Sequence, residues 1–211
     1  AVFVSDWYSE TNQLILEEIE AKIPYVPGSM RAQVVPSGPG FETENNLRLI
    51  NYMIYNAEKR ITICSPYFVP DETLLQALTN AAFSGIETTV IVCEKGDQFL
   101  PNMAQRSYYE TLLQSGVRIL QYPSPTVLHS KFMYVDDEMA FIGSSNMDYR
   151  SFGLNYEVML LAQDSHLVDL LLENDQRIIA RSHLLTIDEW EALPWYKHYI
   201  DNICRLGSAL L

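Results

Sequence analysis

Between Thr43 and Tyr122 the apolar residues repeatedly switch period, and no other feature constrains the fold as tightly. Leu47, Ile50, Ile54 and Ala57 recur at helical spacing behind Thr43, a candidate N-cap. Residues 61–64 are a short β-branched run. Asp71 then caps a helix carrying Leu74, Leu75, Leu78, Ala81 and Ala82, and Gly85 ends it. Residues 88–93 read as a buried strand, Pro101 opens a helix that Gly116 closes, and residues 117–122 follow as a strand. Strands and helices alternating at this length predict an α/β fold: a mixed, mostly parallel β-sheet flanked by helices on both faces.

The first 40 residues follow another rule. Residues 1–22 read as a helix, with Trp7, Leu14, Ile15 and Ile19 among polar positions. Pro24, Pro27, Gly28, Pro36, Gly38, Pro39 and Gly40 then mark an irregular connection, interrupted by a short strand at 32–35. The expected division is 1–32 as a helix and linker, and 33–211 as the main domain. No apolar run approaches the eighteen or so residues that a membrane helix needs, so these residues are expected to be soluble.

Net charge −13, from 14 basic and 27 acidic residues, disfavours a nucleic-acid partner, because phosphate neutralisation supplies most of that affinity. The longest basic cluster is Lys59-Arg60. A small anionic head group is still compatible, since one Lys and a few dipoles can override the overall sign locally. Cys64, Cys93 and Cys204 are widely spaced and form no CxxC pair, which indicates neither a disulfide framework nor a metal site. Cys64 and Cys93 sit in apolar runs and read as small core residues.

The chemistry concentrates in residues 127–146, VLHSKFMYVDDEMAFIGSSN. Two strand-like runs flank Asp136-Asp137-Glu138, and a two-residue loop is expected there. With Asp137-Glu138 as the loop, His129 faces Asn146 and Lys131 faces Ser144; with Asp136-Asp137, His129 faces Ser144. Either register leaves His129, Lys131, Ser144 and Asn146 on one face, opposite Phe132 and Tyr134. That grouping suits phosphate chemistry. An imidazole attacks phosphorus or protonates a leaving oxygen, an ammonium meets a non-bridging oxygen, and an amide donates to the same group. Gly143 removes a side chain where the strand must bend or pass closely. Glu157, a carboxylate in the apolar run 155–162, is the candidate acceptor for the second nitrogen of His129. Singly, each residue has a bland reading: a strand His is usually structural, a Lys solvated, an Asn near a turn there for backbone geometry. Six fixed positions arise together by chance on the order of 10⁻⁸ per start, which removes coincidence as an explanation.

The pattern His129-x-Lys131-x₄-Asp136-x₆-Gly143-Ser144-x-Asn146 resembles the HKD signature of the phospholipase D superfamily. Asn146-Met147-Asp148-Tyr149-Arg150-Ser151, Leu154-Asn155-Tyr156-Glu157, Ser65-Pro66-Tyr67-Phe68-Val69-Pro70-Asp71, Pro36-Ser37-Gly38-Pro39 and the closing Arg205-Leu206-Gly207-Ser208-Ala209-Leu210-Leu211 are similar to its cardiolipin synthase branch. The resemblance implies a phospholipase D-like domain and a two-step transfer through a phosphohistidine, with no metal and no cofactor. Two such motifs, one per half, face each other across the site. Here it implies a catalytic set of His129, Lys131 and Asp136. His129 is the general acid and base, Lys131 and Asn146 hold the phosphate, Ser144 supports the site, Glu157 orients His129, and Asp136 is structural at the turn. Asp148 and Arg150 read as a supporting ion pair.

Only one such motif is present, since His166, His183 and His198 have no Lys two residues on. Residues 1–32 are then expected to be the end of a preceding half plus linker, and the chain by itself inactive unless two copies pair. The implied reaction joins two phosphatidylglycerol molecules into cardiolipin with release of glycerol. A hydrolytic phospholipase D and a homodimeric single-motif nuclease are the alternatives, and a non-catalytic docking module is a third class. Implied partners are the phospholipid, the other half or a second copy, and a membrane surface. The longer enzyme is expected at the cell membrane with its catalytic part on the cytoplasmic side. Tyr67, Phe68, Trp190, Trp195 and Tyr196 are the aromatic candidates for lipid contact.

Overall fold

The computed structural model describes residues 2–15 and 30–207. The chain divides into two units, Ala1–Met30 and Arg31–Leu211. In the first, α1 (Val2–Thr11) is shorter than the expected helix, and the continuation to residue 22 lies outside the described residues.

The second unit is built on an eight-stranded sheet. Its strands, in spatial order, are β1 (Arg31–Ser37), β9 (Glu157–Gln163), β7 (Met139–Gly143), β6 (Phe132–Val135), β2 (Arg60–Cys64), β4 (Glu87–Cys93), β5 (Arg118–Tyr122) and β10 (His183–Leu185). A separate pair joins β3 (Phe68–Val69) to β8 (Met147–Asp148). The mixed sheet is as expected, but "mostly parallel" is not. Only β2–β4 and β4–β5 pair in parallel in the main sheet. The helical connections that signal parallel crossovers are confined to residues 65–117, whereas the hairpin, β9 and the edge strands β1 and β10 add antiparallel.

Helices cover both faces. On one, Ile50 and Ile54 of α2 (Asn45–Tyr55), Leu74 and Leu78 of α3 (Glu72–Phe83) and Leu112 of α5 (Tyr109–Gln114) bury against Ile61, Ile63, Val90, Val92, Met133 and Phe141. On the other, Val168 and Ile178 of α6 (Ser165–Ile179) bury against Ile91, Leu120, Phe132, Tyr134 and Ala140. Among the described residues the other helices are α4 (Phe99–Arg106), α7 (Ile187–Glu191), α8 (Trp195–Arg205) and a π-helical turn at Arg150–Leu154. Asp71 caps α3 as expected, accepting from the Leu74 N–H at 2.9 Å. Thr43 does not cap α2: its hydroxyl holds Asn45, whose amide donates to the Pro36 carbonyl and ties the helix to β1. The helix expected from Pro101 to Gly116 breaks in two at Ser107, whose hydroxyl takes the Ala104 carbonyl at 2.7 Å.

The hairpin turn departs from the expected geometry. Phe132 pairs with Ile142 and Val135 with Met139, so the loop is the three residues Asp136-Asp137-Glu138. Both two-residue registers are therefore wrong. Asp136 adopts φ 54°, a conformation that Asp tolerates better than most residues. It is held there because its carboxylate accepts from the Lys59 N–H at 2.8 Å, the Arg60 N–H at 3.0 Å and the Glu58 N–H at 3.1 Å. Tertiary hydrogen bonds, which local turn propensity does not encode, decide the loop length.

Two stability predictions follow from these contacts. Asp136→Ala removes the acceptor for these N–H groups and should lower the unfolding free energy by about 2–3 kcal/mol in urea titrations. Asp175 lies on the buried face of α6, and burial pushes its carboxyl up to about 6 from 3.8, although the Tyr134 hydroxyl donates to it at 2.8 Å. The folded state thus holds a proton that the unfolded chain has lost, and this contribution to stability fades as pH rises through about 6. Asp175→Asn should flatten the pH dependence between 4 and 7 and stabilise the chain at pH 8 by roughly 1–3 kcal/mol, read by denaturant unfolding at each pH.

Candidate active site

Five chain segments meet at one end of the sheet. The parallel strands β2 and β4 finish there, β6 begins, β7 ends and β9 begins, which is where open α/β sheets tend to gather functional groups. His129 and Lys131 lie just before β6, and Ser144 and Asn146 just after β7. By strict alternation the observed register would send Ser144 and Asn146 to the face opposite His129 and Lys131. Ordered pairing stops first, at Phe132 and Gly143, and side-chain links take over. Gly143 permits the ending: a Cβ there would overlap the Val158 carbonyl oxygen, so β7 and β9 approach as closely as they do only without one. Gly38, in the Pro36-Ser37-Gly38-Pro39 stretch, likewise lies against the Asn155 carbonyl with φ 124°.

The Lys131 ammonium sits 3.0 Å from His129 Nδ1 and 3.1 Å from the His129 carbonyl oxygen. An ammonium has only donors, so Nδ1 is the acceptor in this contact and the ring proton belongs on Nε2. Burial holds Lys131 below the ordinary lysine range, while the carboxylates of Glu157 and Asp148 pull in the other direction. The lysine therefore lies in the field of both acids. Glu157 is buried, and its carboxylate accepts from the Ser144 hydroxyl. That hydroxyl also accepts from the Val158 N–H at 3.0 Å. The expected Glu157–His129 hydrogen bond is not formed; the Glu157 carboxylate accepts from Ser144 instead. Asn146 reaches Asp148, whose carboxyl is raised by burial and lowered in part by this amide and by the Ser151 N–H at 2.8 Å.

The structure thus joins His129 directly to Lys131, and surrounds Lys131 with the Glu157–Ser144 and Asp148–Asn146 pairs. The Asn146 side-chain amide oxygen, Oδ1, is buried with no partner among the described residues. Asn146, Asp148, Arg150, Asn155, Tyr67, Val69, Gln98 and Pro101 line a cavity of about 290 Å³. Two expectations fail here. Asp136 is not in the site: five residues of extended chain, roughly 16 Å, separate it from Lys131, and its carboxylate is spent on backbone N–H groups. Asp148 and Arg150 form no ion pair, since Asp148 is taken by Ser151 and Asn146, and Arg150 faces the cavity wall.

Sequence reasoning also missed residues that build the site. The Cys64 thiol points at the Ser130 carbonyl (3.7 Å) and the Cys93 thiol at the Leu128 carbonyl (3.6 Å), so two strand ends grip the chain on either side of His129. Burial raises both thiols, which keeps them protonated as donors. Ser65 accepts from the Met147 N–H at 3.1 Å and fastens the Asn146 segment to β2. Small polar residues at strand ends were the available signal. No grouping of three His, Cys, Asp or Glu side chains with metal-ligand geometry occurs among the described residues.

A family model described as "Cardiolipin synthase, PLD-like domain" matches residues 50–179, the span that holds the His129–Lys131 pair and all its partners. The chain belongs to this family. It is 36% identical over 212 residues to the cardiolipin synthase of Halalkalibacterium halodurans, covering 100% of this chain and 42% of that protein. Cardiolipin synthase A of Proteus mirabilis is 33% identical over 213 residues, covering 100% and 44%. The chain therefore spans less than half the length of these relatives. Among solved structures, the phosphatidylserine synthase of Haemophilus influenzae superposes with TM-score 0.69 at 17% identity, covering 88% of this chain and 49% of that one. The phospholipase D family member Nuc from Salmonella typhimurium gives TM-score 0.64 at 20% identity, covering 74% and 99%. These two likenesses establish the fold. Residues 50–179 are thus a phospholipase D-like fold, and no helix among the described residues is long and apolar enough to cross a membrane.

Ser144→Ala would leave the buried Glu157 oxygen and the Val158 N–H without a partner. It should cost about 1–3 kcal/mol of unfolding free energy, measured by urea denaturation.

Proposed function

We propose that this chain supplies one half of a phosphatidyltransferase site that joins two phosphatidylglycerol molecules into cardiolipin and glycerol. The observation that carries the reading is the 3.0 Å contact between the Lys131 ammonium and His129 Nδ1, at a sheet end that also gathers Ser144, Asn146 and Glu157. With Nδ1 engaged by the lysine, Nε2 is the ring atom left to exchange a proton with a departing or entering oxygen. In this reading a second motif, from the other half of a longer enzyme or from a second copy, supplies the attacking histidine. That histidine forms the phosphohistidine while His129 protonates the leaving glycerol oxygen. His129 then removes the proton from the incoming phosphatidylglycerol hydroxyl as it attacks phosphorus, and both protons are accounted for.

Lys131 and an N–H of Asn146 hold the non-bridging oxygens, where charge accumulates in the transition state. Glu157 acts through Ser144 rather than on the imidazole: the pair braces the end of β7 and keeps a carboxylate in the field of Lys131. Residues 1–32 are read as the end of the preceding half and its linker, 33–211 as the catalytic domain, and the phospholipid in a membrane surface as the substrate. The single-motif nuclease is the weaker reading, because the charge of −13 opposes a polyanion groove.

The test is complementation. The chain, mixed with a separately produced N-terminal half of a cardiolipin synthase, should restore transfer from phosphatidylglycerol in mixed micelles. His129→Asn should lower it by at least 10³-fold. Restored activity that His129→Asn does not reduce would refute the assignment; release of phosphatidic acid in place of cardiolipin would favour hydrolysis.

A further inference from the structure

The site does not use α8, and this helix shows two opposed faces. One is anchored. Asp201 is buried and pairs with Arg106 of α4 at 3.0 Å, the His198 ring lies edge-on to Trp190 at 4.9 Å, and the Arg205 guanidinium covers the Tyr108 ring at 4.4 Å. The other face carries Trp195, Tyr196, Tyr199, Ile200, Ile203 and the following Leu206. At 100° per residue these six fall within an arc of about 140°. All are exposed, Trp195 by 77% and Leu206 by 86%, so the chain's own core leaves a continuous apolar strip uncovered. Single exposed apolar residues need no explanation, but a helix-long strip does.

The strip's charge and composition choose between occupants. In a chain of net charge −13 the only acid on α8 is Asp201, buried and neutralised by Arg106, whereas Lys197 is exposed beside the strip. Trp, Tyr, Ile and Leu sharing one exposed helix face is the pattern of a helix lying in a lipid head-group layer, and the cation favours anionic lipid. The position fits as well. Asn202, Arg205 and Leu206 line a cavity of about 330 Å³ with Val69 and Tyr149, and Val69 also walls the cavity of the candidate site.

We propose that the exposed face of α8 docks on an anionic phospholipid surface and sets the candidate site against it. This deepens the proposed function by naming the surface that meets the substrate's own membrane, and it can fail separately, because docking needs no turnover. The aromatic candidates thereby divide: Tyr67, Phe68 and Trp190 are buried, and Trp195 and Tyr196 are not.

The experiment is co-sedimentation of the 211-residue chain with vesicles of phosphatidylglycerol and phosphatidylcholine in equal parts, against phosphatidylcholine alone. The chain should bind the anionic vesicles at least tenfold more tightly. Trp195→Ser combined with Tyr199→Ser and Ile203→Ser should weaken binding at least tenfold with an unchanged melting transition, and Lys197→Glu should weaken it severalfold in low salt. His129→Asn, which stops the chemistry, should leave binding intact. Equal binding to both vesicles, full binding by the triple variant, or a concentration-dependent dimer that the triple variant abolishes would each overturn the proposal. The last outcome would give the face to a second copy of the chain.

Discussion

The carboxylate of Asp136, closed over the N–H groups of residues 58–60, is the contact on which the geometry of the site depends. It holds the turn open at three residues and binds the hairpin to the start of β2. A two-residue turn would shift every side chain of one strand to the other face relative to its partner. The three-residue turn instead sets Phe132 opposite Ile142 over α6 and Met133 opposite Phe141 in the main core, so burial on both faces enforces one register. His129 and Lys131 inherit their position from that choice. Asp136 thus acts at a distance: it belongs to the motif without touching the chemistry.

The site is built from strand ends, not strands. Regular pairing would have separated the four polar groups, and the structure solves this by ending the strands at Phe132 and Gly143, next to Lys131 and Ser144 and short of His129 and Asn146. Gly143 makes the ending possible, Ser144 turns its hydroxyl to Glu157, Ser65 receives the Met147 N–H, and the thiols of Cys64 and Cys93 hold the carbonyls flanking His129. Lys131 emerges partly desolvated between two acids, with its ammonium on the imidazole. A desolvated ammonium among fixed dipoles interacts more strongly with an oxyanion than a solvated one, because little reorganisation accompanies the charge.

Much of this was legible in the residues. The cap of α3, the buried strands, the role of Gly143 and the family all follow from local pattern or motif spacing, since each is written within a few consecutive residues. What was not legible depends on partners far along the chain. The loop length turns on N–H groups 76 to 78 residues away. The antiparallel edges depend on which strand finds which, and the Glu157 partner depends on where β9 lands beside β7. Cys64 and Cys93 read correctly as buried, but burial alone does not reveal that their thiols aim at the histidine segment.

The central claim is that one imidazole, one ammonium and one amide at this sheet end address a single phosphate. A crystal structure of the chain with tungstate or vanadate tests it most directly. The oxyanion should sit within hydrogen-bonding distance of His129 Nε2, Lys131 Nζ and the Asn146 amide at once. Density for it only elsewhere, such as against Arg205 or Lys59-Arg60, with these three groups unengaged, would contradict the account.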